Sequence, residues 1–292
     1  MHSPIRYFGG KGGMYSKIIA EFPSDFGTHI KSTSKGDADV YIEPYGGGAS
    51  VLFHKEQSPI EIYNDIDHNV CSLFFVLADK KKFKQFKSKC DVTYYSREIF
   101  KKFVKSLRED DLDMVERAFR FFYVNRVAYN GVGGFSSIVK YVRNGMSKPV
   151  SDMLSAIKNL PEVHNRLSTV IIENGLAIDL IEKYDDPHVL FYLDPPYHHS
   201  TRTEARYDVD MSDEEHELLI MSLLRIKKAR VLLSGYQCEL YDKLTEKGWH
   251  RVDFDVKTQD GKRNSKKKVE SLWRNYKKEG NNENRIGRIL RR

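Results

Sequence analysis

The chain has 292 residues, of which 40% are hydrophobic and 30% are charged, the balance of a globular protein. No window approaches the ~18 consecutive apolar residues of a membrane span, and the first residues lack the apolar segment of a secretory signal peptide. The three cysteines are far apart and form no CxxC pair, which argues against a disulfide framework or a zinc ribbon. We therefore expect a cytoplasmic protein with one large domain, or with a core domain that carries an insert.

The chain opens with a glycine-rich loop, YFGGKGG, at residues 7–13. Glycines expose backbone N–H groups to an anion, and the single lysine adds a positive charge. The loop is therefore a candidate for binding a carboxylate or a phosphate, and the alternative is a flexible N-terminus.

The first predicted strand, 40–44, runs directly into a glycine turn, YGGGAS, at 45–50. Such a turn between a first strand and a helix lets a ligand approach the backbone closely. The turn is not a GxGxxG motif and the chain has no P-loop, so neither a dinucleotide nor a nucleoside triphosphate is specifically indicated. A plain strand–helix connection is the alternative.

The second predicted strand, 60–63, ends in the acidic segment YNDID. A carboxylate at this position holds ribose hydroxyls in nucleotide-binding α/β folds. An aspartate that caps the following helix would give the same pattern. Both interpretations stay open for Asp65.

About a hundred residues separate the second strand from the third, which we predict at 169–173. A crossover helix needs far fewer residues. We therefore predict a mostly helical inserted subdomain over 78–165. Within it, the segment 126–145 is rich in Gly, Asn and aromatic residues, a composition that fits a loop or hairpin.

The fourth predicted strand, 189–194, runs into Asp194-Pro195-Pro196-Tyr197. Two prolines stiffen the segment and leave its carbonyls able to accept hydrogen bonds from a ligand. The segment follows a strand end, where open α/β sheets bind substrates. A carboxylate, rigid carbonyls and an aromatic ring suit a flat base that carries an amino group. A structural turn is the alternative.

The remaining elements complete an alternating α/β pattern. We predict a helix over 212–228, capped by Ser212 and with one face formed by Leu218, Leu219, Met221, Ser222 and Leu224. Three further strands are predicted at 230–235, 251–256 and 269–273. Seven strands alternating with helices predict a doubly wound α/β sheet.

All the excess positive charge lies at the end of the sequence. Residues 257–292 hold 13 Lys and Arg against 4 Asp and Glu, a net charge of +9, whereas residues 1–256 have a net charge of −2. A basic segment of this kind indicates a polyanionic partner, and a solvated tail is the alternative. No histidine or cysteine spacing indicates a metal site, and we expect none.

Taken in order, these motifs resemble the Dam-like DNA adenine methyltransferases, which use S-adenosylmethionine (AdoMet). The resemblance rests on YFGGK (7–11), EPYGGGASVLF (43–53), YNDID (63–67), FFYVNRVAYNGVGGFS (121–136) and DPPY (194–197). It also includes LLSGY (232–236) and VESLWRNY (269–276). One departure is that Ala49 replaces the last glycine of the family's F-x-G-x-G.

The resemblance implies roles for individual residues. The AdoMet contacts would be Tyr7, Gly10, Lys11, Glu43, Tyr45, Gly47, Asp65 and Asp194. The catalytic segment would be Asp194, Pro195, Pro196 and Tyr197, with Asp194, Pro195 and Tyr197 holding the target base. The candidates for contacting DNA are Arg126, Asn130, Phe135, Lys140 and Arg143.

The resemblance also implies the fold and the function. The fold would be a seven-stranded, Rossmann-like AdoMet-dependent sheet: 1–77 and 166–276 would form the catalytic domain, 78–165 a target-recognition insert, and 277–292 a basic tail. The enzyme would methylate N6 of adenine in double-stranded DNA after flipping the base, without a metal. Methylation of the cytosine amine and a non-catalytic DNA-binding protein are the alternatives. The oligomeric state stays open between a monomer and a weak dimer.

Overall fold

The computed structural model describes residues 1–7, 9–27, 38–108, 111–131, 133–136, 141–201, 210–258 and 266–278. The β-strands of these residues are β1 Val40–Glu43, β2 Ile60–Asn64, β3 Val142–Arg143, β4 Met146–Ser147, β5 Ile171–Glu173, β6 Val189–Leu193, β7 Arg230–Gly235, β8 His250–Thr258 and β9 Lys266–Arg274. The α-helices are α1 Tyr15–Ala20, α2 Ser50–His54, α3 His68–Ala78, α4 Lys80–Val92, α5 Arg97–Ser106, α6 Met114–Val127, α7 Lys148–Leu167, α8 Ala177–Lys183, α9 Asp213–Arg225 and α10 Glu239–Glu246.

Seven of the strands form one mixed sheet with the order β5-β2-β1-β6-β7-β9-β8. The first five run parallel, and β9 runs antiparallel to both β7 and β8. The seven predicted strands are confirmed. The sequence did not predict that the last strand enters between β7 and β8 in the opposite direction.

The sheet is buried on both faces, as its continuously apolar strands indicate. Along β6, Leu190 and Tyr192 pack into one hydrophobic cluster, while Phe191 and Leu193 pack into the other. Helices α1 to α7 contribute to the first cluster and α8 to α10 to the second. The strand order changes direction at β1, where β2 lies on one side and β6 on the other, and this point opens a crevice at the carboxyl edge.

The long interval between β2 and β5 holds five helices and a two-stranded hairpin. Its helices share one continuous core with the first face of the sheet; Phe86 of α4 and Phe122 of α6 are fully buried there. The division into a catalytic domain and an insert at 78–165 stays a prediction. The longest helix described is α7, with 20 residues, and none of the described helices is long and apolar enough to cross a membrane.

The predicted loop or hairpin at 126–145 is present, although its first two residues belong to α6. A short 3-10 turn at Tyr129–Gly131 follows that helix, and β3 pairs with β4 in a hairpin after it. The turn is closed by a bridge between Ala128 and Phe135.

Helix α9 confirms the predicted cap and corrects the predicted face. The Ser212 hydroxyl accepts from the Glu215 N–H, and the Glu215 carboxylate accepts from the Ser212 N–H, a complete capping box. Of the expected apolar face, Leu219 and Ser222 are buried, whereas Leu218, Met221 and Leu224 are exposed. The remaining apolar residues that the sheet buries are Ile220 and Leu223, which the predicted face did not include.

Candidate active site

A cavity of about 230 Å³ lies at the carboxyl edge of the parallel strands. The N-terminal loop, the ends of β1, β2 and β6, the start of α8 and the start of α9 all contribute to its wall. Eight of the predicted AdoMet contacts line it: Tyr7, Gly10, Lys11, Glu43, Tyr45, Gly47, Asp65 and Asp194. The fold therefore brings together residues that lie as much as 187 positions apart in the sequence.

The glycine turn after β1 is fixed by two side chains from the end of β2. The Gly47 N–H donates to Asp65 Oδ2 at 2.7 Å, and the Tyr63 hydroxyl donates to the Gly47 carbonyl at 2.7 Å. A Cβ at Gly46 would lie 2.1 Å from the Tyr63 ring, so only glycine fits there. An aspartate of the segment does cap the following helix, but it is Asp67, whose side chain accepts from the Asn69 N–H at the start of α3. A ribose contact of Asp65 stays a prediction.

Gly46→Ala is expected to lower the free energy of unfolding by about 1–3 kcal/mol, the usual effect of overpacking a closed site. The Tyr63 ring cannot swing away easily, because it is fully buried and stacks on Phe74 at 4.2 Å. Thermal unfolding of the unliganded protein measures the effect. Gly134→Ala is the matched control, since a Cβ there meets nothing within 4 Å. Equal melting temperatures for both variants would contradict the expectation.

Ala49, the departure from the family's glycine pattern, has a left-handed backbone, with φ 52° and ψ 37°. Glycine adopts this conformation without cost, whereas alanine pays a steric penalty. This explains the glycine in the family's motif. The turn nevertheless forms here, because the Ala49 N–H donates to the Gly46 carbonyl at 2.7 Å.

Two carboxylates in the cavity wall are buried. Burial raises the pKa of Glu43 to about 8, although the Tyr41 hydroxyl and the Leu52 N–H both donate to it. Burial likewise raises the pKa of Asp65 to about 6, against the effect of its backbone donors. A cationic ligand in the cavity would favour the ionised form of both groups.

Asp194 and Lys11 form an ion pair in the wall of the cavity, in which Lys11 is buried and the Asp194 side chain is 19% exposed. Lys11 Nζ lies 2.8 Å from Asp194 Oδ1, 2.5 Å from the Tyr197 hydroxyl and 3.0 Å from the Gly9 carbonyl. Its side chain is only 5% exposed. The ammonium is thus directed at protein oxygens, and its predicted contact with AdoMet stays a prediction. Burial raises the pKa of Asp194 to about 6, and the Lys11 charge opposes that shift.

The rest of the Asp-Pro-Pro-Tyr segment surrounds this pair. Pro196 lines the cavity and Pro195 is buried. The Tyr197 ring is 7% exposed and lies edge-to-face against Tyr236, with centroids 4.5 Å apart. Burial raises the pKa of Tyr197 well above its ordinary value, so its hydroxyl stays protonated.

Sequence reasoning missed Glu270, a buried carboxylate of β9 that contacts both Lys11 and Tyr197. The one signal available was an acidic residue in the otherwise apolar end of the strand, VESLW. The antiparallel direction of β9, which brings this residue to the carboxyl edge, is a property of the tertiary structure.

The structure separates the residues predicted to contact DNA. Arg126 donates to the carbonyls of Ser3 and Pro4, and burial lowers its pKa to about 10, so its guanidinium ties the N-terminus to α6. Phe135 packs in a partly buried position against α5. Arg143 stands on the β3–β4 hairpin, half exposed and paired with Asp152 at 2.9 Å.

Other predicted features fall largely outside the described residues. These are Lys140, the side chain of Asn130 and most of the basic segment at 257–292. Among the residues that are described, no group of three or more His, Cys, Asp and Glu side chains is arranged to hold a metal ion.

Comparison with known proteins shows the family to which the chain belongs. A family model described as D12 class N6 adenine-specific DNA methyltransferase matches residues 7–264. The chain belongs to this family. It is therefore an adenine-specific DNA methyltransferase, and its cavity and its Asp-Pro-Pro-Tyr segment lie within the matched region. The alternatives of cytosine methylation and of a non-catalytic protein are not supported by this match.

Two relatives are similar over most of their length. The type II methyltransferase M.MjaIII of Methanocaldococcus jannaschii is 27% identical over 278 residues, covering 83% of this chain and 87% of the relative. The type II methyltransferase M.CviBI of Paramecium bursaria Chlorella virus NC1A is 26% identical over 268 residues, covering 87% of this chain and 89% of the relative.

Proposed function

We propose that this methyltransferase binds AdoMet in the cavity between β1 and β6 and transfers its methyl group to N6 of an adenine held by Asp194. The carboxyl groups of the cavity support the proposal. Glu43, Asp65 and Asp194 line it, and the positive sulfonium and ammonium groups of AdoMet would favour their ionised forms. The aromatic rings of Tyr7 and Tyr45 add apolar surface for its adenine and methionine parts.

The observation that carries the proposed mechanism is the position of Asp194, at the boundary between the cavity and the Pro195–Tyr197 segment. An aromatic amine is a poor nucleophile, because its lone pair is delocalised into the ring. If Asp194 and the Pro195 carbonyl accept its two hydrogens, the nitrogen becomes more tetrahedral and its lone pair points to the methyl group. This is catalysis by positioning and electrostatic stabilisation.

Bound AdoMet supplies a methyl group on a sulfonium sulfur, whose C–S bond breaks with its electron pair passing to sulfur while N6 forms the new N–C bond. The methylated nitrogen is then cationic and loses one proton. The Asp194 carboxylate, which already accepts from that N–H, takes this proton. A carboxylate with a pKa of about 6 is basic enough for this step, because the cationic nitrogen is a much stronger acid.

The adenine must leave the helical stack to reach Asp194, since its amine is paired inside duplex DNA. We assign binding of the DNA phosphate backbone to the helical segment between β2 and β5. The outer face of α5 carries Lys101, Lys102 and Lys105, all exposed, next to the loop that contains Phe135. The exposed Tyr141, Val142 and Arg143 of the hairpin are then placed to contact bases.

Removing two positive charges from α5 is expected to weaken DNA binding and its salt dependence together. The logarithm of the DNA association constant falls linearly with the logarithm of the salt concentration, and each phosphate contact contributes about −0.9 to the slope. If Lys102 and Lys105 each contact one phosphate, the double variant Lys102→Ala/Lys105→Ala should make this slope less steep by about 2. Fluorescence anisotropy at several salt concentrations measures this slope. Lys227→Ala/Lys228→Ala is the matched control, because these exposed lysines precede β7 and lie outside the helical segment between β2 and β5. An unchanged slope in the α5 variant would remove α5 from the interface.

The two relatives are named type II methyltransferases, and we propose that this enzyme too modifies a defined DNA sequence within a restriction–modification system. The test is incubation with labelled AdoMet and unmethylated duplex DNA, followed by digestion to nucleosides and modification-sensitive sequencing. We expect the label in N6-methyldeoxyadenosine at one recognition sequence. Label in N4-methyldeoxycytidine, or no transfer, would overturn the proposal, and label scattered without a common sequence would overturn the type II assignment.

A further inference from the structure

Glu270 lies at the active-site edge because of the direction of its strand. Gly235, the last residue of β7, pairs with Ser271 of β9. Since β9 runs antiparallel to β7, Glu270 stands one residue beyond the carboxyl end of β7. Its side chain is buried, with 5% exposure, and lies behind the wall of the cavity rather than in it.

Glu270 contacts the two groups that surround Asp194. Its Oε1 lies 3.1 Å from Lys11 Nζ, and it accepts a hydrogen bond from the Tyr197 hydroxyl. Lys11 in turn lies 2.8 Å from Asp194. The partly exposed carboxylate of Asp194 and the buried carboxylate of Glu270 therefore share one ammonium group, and the Tyr197 hydroxyl links that ammonium to Glu270 a second time.

We propose that Glu270 is a positioning residue for methyl transfer. Its carboxylate fixes the Lys11 ammonium and the Tyr197 ring, and it competes with Asp194 for the lysine charge. It thereby determines the geometry of the residues around the target amine and the pH at which Asp194 ionises. The inference rests on the proposed function, in which ionised Asp194 accepts the hydrogens of the amine.

The groups around Glu270 determine whether removing its charge raises or lowers the pKa of Asp194. The ionisable groups that face Glu270 are Lys11 from the N-terminal loop, Tyr192 from β6, Asp194 and Tyr197 after β6, and Tyr236 after β7. On the neighbouring strand β8 the residue paired with it is the apolar Phe254. The Glu270 charge raises the pKa of Asp194 further, in addition to the larger effect of burial. Removing this charge therefore lowers the pKa of Asp194 and extends activity to more acidic pH.

The test is Glu270→Gln, followed by single-turnover methylation of unmethylated genomic DNA between pH 5 and pH 9. We expect the rising limb of the pH profile, where the methylation rate increases with pH, to move to lower pH. We also expect the plateau rate to fall about tenfold or more, because the Tyr197 hydroxyl and Lys11 lose an anionic partner. AdoMet affinity, measured by calorimetry, should change little, since Glu270 lies outside the cavity wall. A purely structural residue would not move the pH limb.

Two further variants make the outcome decisive. Asp255→Asn is the matched control, an exposed carboxylate on the neighbouring strand β8 that should affect neither the limb nor the plateau. Glu270→Asp keeps the charge but withdraws it by one methylene, so it should keep the wild-type limb and lower the plateau. A folded Glu270→Gln variant with the wild-type pH profile would overturn the proposal. A Glu270→Asp variant with the wild-type plateau rate would also overturn it. If Glu270→Gln does not fold, the plateau rate of Glu270→Asp decides the question.

The same experiment separates this inference from the proposed function. Wild-type protein that transfers no methyl group to adenine would refute the proposed function. Active wild-type protein with Glu270 variants that behave like wild type would refute only the role of Glu270.

Discussion

Asp194→Ala is expected to reduce methyl transfer by about a thousandfold, the effect of removing a preorganised electrostatic contact to the reacting group. The variant loses the carboxylate that would accept a hydrogen of the target amine and take up its proton after transfer. Asp194→Asn keeps an oxygen that accepts the hydrogen bond but has no basic site, so we expect measurable activity well below that of the wild type. Single-turnover methylation with enzyme in excess over target sites ranks the variants without interference from product release.

Asp179→Asn is a suitable control, because this exposed residue in the first turn of α8 is not in the cavity wall. DNA binding measured by anisotropy should be unchanged in all three variants, because the phosphate contacts are assigned to another part of the molecule. An Asp194→Ala variant with near-normal turnover would mean that a different group accepts the hydrogens of the amine.

Lys11→Met is expected to have the second largest effect, and the structure changes its predicted cause. The family resemblance implies a contact between Lys11 and AdoMet, whereas the ammonium lies between Asp194 and Glu270. Removing one partner of a buried ion pair costs about 3–5 kcal/mol. Since the Lys11 charge lowers the pKa of Asp194, its removal raises that pKa from the value of about 6. The rate at neutral pH should fall and should partly recover at higher pH.

This shift is opposite in sign to the shift expected for Glu270→Gln, so the pair of variants tests the electrostatic account directly. The pH dependence of single-turnover methylation and the thermal unfolding of Lys11→Met measure the two effects. Lys17→Met is the control, an exposed lysine on α1 whose ammonium lies over the Phe254 ring. If AdoMet affinity alone fell and the pH profile stayed in place, Lys11 would act on AdoMet as the resemblance implies.

Many features of the fold could be predicted from local sequence. The continuous apolar runs at 40–44, 189–194 and 230–235 predicted buried strands, because a strand covered on both faces has no polar face. The capping box at Ser212 predicted the start of α9, since its hydrogen bonds involve residues three positions apart. The Asp-Pro-Pro-Tyr segment could be located because its stiffness is a local property of proline.

Other features depended on contacts between distant segments. The buried face of α9 was predicted only in part. The expected face contained both Leu218 and Leu219, which are equally apolar, and only the position of the sheet decides that Leu219 is covered and Leu218 is not. Arg126 looked like a residue for binding DNA, but the folded N-terminus supplies carbonyl oxygens for its guanidinium. Hydrogen-bond partners 122 residues away leave no trace in local spacing.

The sequence by itself determined the strands, the glycine turn and eight residues of the cavity wall, because each follows from short-range patterning or from a motif. The tertiary structure alone decided how the charges in the site are paired. Lys11, Asp194 and Glu270 come from the two ends and the middle of the chain, and they meet because β9 enters the sheet against the direction of β7. Coulombic energy depends on the distance between charges, and folding alone sets that distance for groups this far apart in sequence.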